Sequence, residues 1–131
     1  KLNGVYIYHF WPNSDPGSEL IIDFIKKDER LNHHRILINK SPEEFIPLLK
    51  YSQFIIGNSS TGIREAAILR VKSINVGLRQ EGRITSSNVL HASFNEEDLI
   101  ECMDKTINLN YEIENDSIGA GERIVNQIMS F

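Results

Sequence analysis

Short apolar runs alternate along the chain with segments of helical periodicity. Apolar runs of strand length lie at residues 4–10, 35–39, 54–57, 73–76 and 89–91. The segments between them repeat apolar residues every three or four positions, as a helix with one buried face does. Such alternation is typical of parallel strands joined by crossover helices. The pattern therefore predicts an α/β fold in which a parallel sheet is flanked by helices.

Helix starts are marked most clearly where a capping residue precedes the apolar repeat. Ser41 precedes Pro42, and Glu44 follows three residues after the serine, which is the pattern of a capping box with a first-turn proline. Asn95 is expected to cap a helix that runs to Leu109. The predicted inward faces are Ile21, Phe24 and Ile25; Phe45, Leu48 and Leu49; Ile63, Ala66 and Ala67; Leu99, Ile100, Met103 and Ile107; and, in a last helix from Gly121, Ile124, Val125 and Ile128.

The amino-acid composition and the net charge limit the classes of protein to which the chain can belong. The chain has 131 residues, 40% of them hydrophobic and 24% charged, which is typical of one globular domain spanning residues 1–131. The net charge of -4 argues against nucleic acid as a partner. No apolar run approaches the roughly 20 residues that span a bilayer, and one cysteine without a signal-peptide pattern predicts a cytoplasmic protein. Because the chain begins at Lys1 instead of methionine, we expect a piece of a longer protein.

The loop at residues 57–65, after the third predicted strand, is the strongest candidate site. Ligands of open parallel sheets bind at the carboxyl ends of the strands, and small residues such as Gly62 let backbone amides at a helix start approach a phosphate. Ser59 and Ser60 add hydroxyl donors, and the Glu65 carboxylate suits a ribose diol. The alternative is that one serine merely caps the helix and that Glu65 is a surface charge.

Two further loops carry candidate ligands. Arg79 and Arg83 lie on the segment that follows the fourth predicted strand, and guanidinium groups there suit a pyrophosphate through bidentate hydrogen bonds. A solvated basic loop is the alternative. After the first strand, Asn13 and Asp15 suit a base or a sugar, or else they form Asx-turns.

No residue pattern indicates a metal ion or a cofactor. His33 and His34 are adjacent, so their rings do not share a helical face at metal-ligand spacing, and no Cys/His cluster supports zinc or iron. We expect these two histidines at the surface. His9 and His91 are expected to be structural, and Cys102 to be a core or boundary thiol.

Three segments in order resemble one enzyme family. They are the GNSSTGIRE segment at residues 57–65, the RQEGR segment at 79–83 and the PNSDPGS loop at 12–18. Together they resemble the C-terminal half of UDP-N-acetylglucosamine 2-epimerases, and most closely the hydrolysing branch used in sialic-acid and related nonulosonic-acid synthesis. The resemblance covers nearly the whole chain, and the loops typical of the non-hydrolysing branch are absent from its sequence.

This resemblance implies a fold and a set of binding residues. The family has the two-domain GT-B architecture, so the chain would be its C-terminal, Rossmann-like, nucleotide-binding domain, with the N-terminal domain absent. Ser59 and Ser60 would bind the diphosphate, Glu65 the ribose, Arg79 the UDP and Asn13 another part of the nucleotide. Gly62 and Arg83 are additional candidates for UDP binding.

The resemblance also implies a reaction. Hydrolysing members convert UDP-N-acetylglucosamine, or a UDP-linked diacetylated analogue, to free N-acetylmannosamine or its counterpart, plus UDP. The family's acid and base come chiefly from the N-terminal domain and the interdomain region, so no catalytic residue is assigned to this chain. Expected partners are the UDP-sugar, the missing N-terminal domain and a homo-oligomer; nucleic acid and membrane are not expected.

Two other function classes stay open. The chain is alternatively a stand-alone nucleotide-sugar-binding module, or the C-terminal domain of a GT-B glycosyltransferase that transfers sugar to an acceptor. Detection of free N-acetylmannosamine without an acceptor would separate the epimerase from the transferase.

Overall fold

The computed structural model describes residues 5–83 and 85–108, with the backbone alone for residues 32 and 33. The helix predicted from Gly121 and the predicted helix end at Leu109 lie outside these residues. Short 3₁₀ helices lie at Glu29–His33 and Ser60–Gly62. The strands and α-helices are β1 (Tyr8–Phe10), α1 (Ser18–Lys27), β2 (Arg35–Leu37), α2 (Pro42–Lys50), β3 (Phe54–Gly57), α3 (Glu65–Ile68), β4 (Lys72–Val76), β5 (Val89–Ala92) and α4 (Glu96–Asn108).

The chain divides into two compact units, and the first, Lys1–Phe45, has little core of its own. Its strands β1 and β2 pair in parallel. No residue among those described in this unit is fully buried. Ile21 and Phe24 of α1 are 53% and 57% exposed, so the predicted burial of this helix face is wrong within the unit. Two strands of three residues present too small a surface to cover a ten-residue helix.

The second unit, Ile46–Phe131, contains the core. Strands β3, β4 and β5 form a parallel sheet with β4 in the centre. Residues Ser73, Ile74 and Asn75 of β4 are all buried, as expected for a central parallel strand that is covered on both faces. The buried cluster consists of Ile74, Ala92 and Cys102, against which Phe54, Val76, Leu90, Leu99 and Met103 pack.

The N-terminal cap of α4 is confirmed, because Asn95 Oδ1 accepts a hydrogen bond from the Glu97 N–H at 2.8 Å. The predicted inward face of this helix is partly wrong. Leu99 and Met103 pack on the core, whereas Ile100 and Ile107 are 51% and 47% exposed.

Cys102 and Thr106 take the buried positions of α4 instead. The Thr106 hydroxyl donates to the Cys102 carbonyl at 2.7 Å, which satisfies a polar group that is shielded from water. Residues 99, 102, 103 and 106 form one helical stripe, so the helix is rotated by about one position from the predicted orientation.

The architecture confirms the predicted fold class, since the strands pair in parallel and a helix lies between successive strands, except between β4 and β5, which a loop connects. The described strands pair into a two-stranded sheet within the first unit and a three-stranded sheet within the second. The predicted single domain stays a prediction. Within the described residues, no helix is long and apolar enough to cross a membrane.

Candidate functional site

The segment after β3 is a tight turn and not the start of a long helix. A 3₁₀ helix at Ser60–Gly62 is followed by α3, which has four residues. The N–H groups of this turn donate within it: Thr61 to Ser59 Oγ at 3.3 Å, Gly62 to the Ser59 carbonyl at 3.2 Å and Arg64 to the Ser60 carbonyl at 2.9 Å. The N–H groups of Thr61, Gly62 and Arg64 are thus satisfied within the turn. The approach of backbone amides in this segment to a phosphate stays a prediction.

The hydroxyl groups of the turn keep their donor capacity. Ser59 Oγ accepts the Thr61 N–H as a cap, which leaves its own hydrogen able to donate to a ligand. Ser59 is exposed and Ser60 is half-buried. Capping and ligand binding, which the sequence posed as alternatives for Ser59, are thus compatible.

Gly62 has a packing role. The residue is buried, and a Cβ atom at this position would collide with Ser73 Oγ on β4. Its carbonyl accepts the Asn88 side-chain amide at 3.4 Å. The glycine lets the turn lie directly against the central strand; its part in ligand binding stays a prediction.

Glu65 is the first residue of α3 and is half-buried. Its Oε2 atom is shielded from solvent, and no described residue donates a hydrogen bond to it. A shielded carboxylate oxygen is unfavourable unless a donor satisfies it. Glu65 is therefore not a plain surface charge, and a ligand hydroxyl would supply the kind of donor that this oxygen accepts.

The two arginines lie on a turn-rich loop after β4. Arg79 and Arg83 are both exposed. The loop is closed by hydrogen bonds from the Glu81 N–H to the Leu78 carbonyl at 2.9 Å and from the Arg83 N–H to the Gln80 carbonyl at 3.3 Å. The backbone geometry therefore holds both guanidinium-bearing residues on one short, solvent-facing loop.

A buried side chain that sequence reasoning missed connects this loop to the serine turn. Gln80 is only 3% exposed, and its Nε2 donates to the Asn58 carbonyl at 2.7 Å. Asn58 directly precedes Ser59, and Gln80 directly follows Arg79. The structure therefore brings the serine turn and the arginine loop together; the binding of a phosphate between them stays a prediction. No local pattern could have identified Gln80, since its partner lies 22 residues away.

A cavity of about 610 Å³ opens beside the arginine loop, at the carboxyl ends of β4 and β5. Arg83 lines it together with the buried Asn75, the exposed His91 and the exposed Phe94. Asn75 Nδ2 lies 3.2 Å from the Gly77 carbonyl and 3.3 Å from His91 Nδ1. The sequence predicted this edge of the sheet, but not the contribution of β5.

Asn13 belongs to the first unit, where it is exposed and lines a separate cavity of about 350 Å³. Trp11, Ile38 and Asn39 also line this cavity, so it lies at the carboxyl ends of β1 and β2. Asn13 thus lies at the strand ends, and its part in ligand binding stays a prediction.

His9 and His34, which lie outside these loops, contact each other, and the sequence did not predict this contact. His9 Nε2 and His34 Nδ1 are 2.7 Å apart, and the rings are stacked with centroids at 4.7 Å. Burial and the neighbouring His34 lower the pKa of His9 below its ordinary value of 6.5. His34 is half-buried, so its predicted surface position is wrong. Among the described residues, no group of three or more His, Cys, Asp or Glu side chains is placed to hold a metal ion.

The sequence matches a family model described as UDP-N-acetylglucosamine 2-epimerase over residues 1–128. It is 31% identical over 125 residues to a UDP-N-acetylglucosamine 2-epimerase of Neisseria meningitidis, a match that covers 93% of this chain and 32% of that protein. It is 43% identical over 81 residues to a UDP-N,N'-diacetylbacillosamine 2-epimerase (hydrolyzing) of Legionella pneumophila, covering 60% of this chain and 21% of that protein.

A third relative is the polysialic acid biosynthesis protein P7 of Escherichia coli, 38% identical over 78 residues, covering 60% of this chain and 20% of that protein. The chain thus spans about a third or less of the length of the curated relatives that it matches.

Proposed function

Because the chain belongs to the UDP-N-acetylglucosamine 2-epimerase family, we propose that it is the UDP-binding, C-terminal domain of a hydrolysing enzyme of that family. The complete enzyme converts UDP-N-acetylglucosamine, or a UDP-linked diacetylated analogue, and water to UDP and the free sugar with inverted C2. It acts in the cytoplasm in the synthesis of sialic acid or a related surface polysaccharide. The short share of each relative that the chain covers supports a further domain.

The observation that carries the proposal is the state of Glu65. Its carboxylate lies at the end of the turn that presents Ser59 and Ser60, and its shielded Oε2 lacks a donor among the described residues. A ligand hydroxyl reaches this oxygen once the side chain turns outward. A ribose diol supplies two hydroxyl donors to one carboxylate. The ribose would lie on Glu65, and the diphosphate would extend along the serine turn towards Arg79.

Side chains provide most of the contacts to the diphosphate, because α3 has only four residues and the N–H groups of Thr61, Gly62 and Arg64 donate within the turn. Hydroxyl groups of Ser59 and Ser60 donate to phosphate oxygens, and the Arg79 guanidinium adds a charge-assisted bond. Asn13 is a further candidate for nucleotide binding. Arg83 and Gly62 remain additional candidates.

During the reaction, the anomeric C–O bond breaks, C2 loses a proton, and water then adds to the resulting glycal with inverted configuration at C2. Negative charge grows on the departing UDP, and a fixed guanidinium at Arg79 stabilises that charge. The acid and base that move the C2 proton lie outside this chain, so the chain contributes leaving-group binding and orientation.

The test is an assay of the full-length protein with each candidate UDP-sugar in D₂O, without any acceptor, followed by NMR. We expect equal amounts of UDP and of free sugar with inverted C2 configuration, and deuterium at C2 because the proton there comes from solvent. UDP release only in the presence of an acceptor would identify a glycosyltransferase. UDP-sugar binding without turnover would identify a binding module; either result contradicts the proposal.

A further inference from the structure

The amide of Gln80 is buried on a loop whose neighbouring side chains are exposed. Gln80 is 3% exposed, whereas Arg79 and Glu81 on either side face solvent. Its Nε2 lies 2.7 Å from the Asn58 carbonyl, and a carbonyl accepts only from the nitrogen end of an amide. The orientation of the amide is therefore fixed by its partner.

The other end of the same amide has no comparable partner. Gln80 Oε1 is shielded from solvent, and no described residue donates to it. A buried amide oxygen without a donor lowers stability. An unbranched apolar side chain would fill the same space without that penalty, so packing alone does not account for a glutamine here.

What the amide does achieve is a fixed link between two loops. Its hydrogen bond reaches the residue before Ser59, and its backbone follows directly on Arg79. Its own carbonyl also accepts the Arg83 N–H at 3.3 Å, which closes the turn of the arginine loop. One residue thus holds the arginine loop against the serine turn.

We propose that Gln80 is a positioning residue that sets the distance between Arg79 and Ser59, so that guanidinium and hydroxyl groups meet one diphosphate together. The proposal rests on the proposed function. Fixing both groups before the ligand arrives avoids the loss of loop freedom on binding, which otherwise weakens affinity. The effect is specific to ligands that carry phosphate, because Gln80 acts only through the two phosphate-binding loops.

The test compares UDP and uridine binding to the full-length protein and to its Gln80→Met variant. Methionine keeps the length and apolar volume of the side chain but removes the donor to Asn58. We expect a melting temperature that is unchanged or raised, UDP affinity reduced by about tenfold and uridine affinity unchanged. Glu81→Gln is the matched control on the next, exposed position, with UDP affinity unchanged.

A second variant and a double-mutant cycle support the comparison. Gln80→Leu also removes the donor to Asn58 and adds no charge, so it decides the question if the methionine variant does not fold. In an Arg79→Ala background, we expect Gln80→Met to have much less effect on UDP binding than in the wild type, because the guanidinium that Gln80 positions is gone.

The outcomes separate the two proposals. If the wild-type protein does not bind UDP, the proposed function fails and the role of Gln80 fails with it. If the wild type binds UDP but the Gln80 variants bind it equally well, only the positioning role is overturned. Equal losses of UDP and uridine affinity overturn it as well, since they indicate a general structural effect.

Discussion

At the scale of single residues, the site is distinguished by polar atoms that are shielded from water. Glu65 Oε2, Gln80 Oε1 and Asn75 Oδ1 are all buried without a hydrogen-bond donor among the described residues. Each such group typically lowers stability by about 1–3 kcal/mol. Their concentration around the serine turn and the sheet edge next to it favours a binding role over simple packing.

The His9 and His34 pair predicts a pH dependence of stability. Burial and the adjacent His34 lower the pKa of His9, so the unfolded chain binds more protons than the folded chain as the pH falls through about 6.5. The free energy of unfolding should therefore decrease between about pH 7.5 and pH 5.5, a range above the titration of most carboxylates. Urea unfolding of the wild type at both pH values measures this decrease.

The control for this prediction is His9→Gln, which keeps a polar side chain that does not titrate. We expect the loss of stability on acidification to be smaller in this variant than in the wild type. An equal loss in both proteins would mean that His9 is not its source. The Asp28 carboxyl group near His34 does not contribute to the pH dependence in this range. Its hydrogen bond to Arg30 lowers the pKa of the carboxyl group, so its titration lies further below the tested pH values.

The sequence was sufficient to identify candidate residues that stand close together in it. It did not identify residues that are buried because they form hydrogen bonds with residues far away in the sequence. Ser59, Ser60 and Glu65 stand together after a strand, which is sufficient to suggest a ligand site. Asn88 and Gln80 are buried because their amides reach backbone carbonyls between 17 and 26 residues away. Nothing in the neighbouring sequence distinguishes these two from ordinary surface amides.

At the scale of elements, helix starts were more predictable than helix faces. The capping box at Ser41 and Glu44 is present, with reciprocal bonds of 3.2 and 3.4 Å, and α2 begins at Pro42 as predicted. In α4, the predicted stripe with Ile100, Met103 and Ile107 has helical periodicity and is at least as apolar as the stripe that is buried, which consists of residues 99, 102, 103 and 106. Only contact with β4 and β5 selects between them, so periodicity alone could not.

The contact between the serine turn and β4 predicts a specific steric effect. A Cβ at residue 62 would collide with Ser73 Oγ, while the Ser73 Cβ lies 3.6 Å away. Gly62→Ala should therefore lower the free energy of unfolding by about 1–3 kcal/mol, as overpacking of a dense core typically does. Chemical denaturation of the variant and the wild type measures the difference.

The companion variant for this prediction is the double substitution Gly62→Ala with Ser73→Ala. Removing the Ser73 hydroxyl removes the atom that collides, so we expect the double variant to be more stable than Gly62→Ala alone. If Ser73→Ala adds to the loss instead, the destabilisation has another origin than this contact.

At the scale of the whole molecule, the two units differ in how much they bury. All fully buried residues among those described lie in the second unit, from Leu49 to Thr106. The first unit exposes apolar side chains on both β1 and α1. A unit with few buried contacts opens at lower free energy than one with a core.

This difference predicts the pattern of amide hydrogen exchange in the 131-residue chain. Amides of β4, such as those of Ile74 and Asn75, should be protected by at least tenfold more than those of β1 and β2, because opening free energy follows buried contacts (about 1.4 kcal/mol per factor of ten). Mass spectrometry of exchanged fragments measures this. Equal protection of both sheets would mean that they open as one cooperative unit.

The most direct test of UDP binding is calorimetry with the full-length protein and two glutamate variants. Wild-type protein should bind UDP, and Glu65→Ala should bind it at least about tenfold more weakly, because hydrogen bonds to a charged group contribute about 1.5–3 kcal/mol. Glu81→Ala, on the exposed part of the arginine loop, should bind UDP like the wild type. Absence of UDP binding, or equal losses in the two variants, would contradict the assignment of this chain as the UDP-binding domain with Glu65 on the ribose.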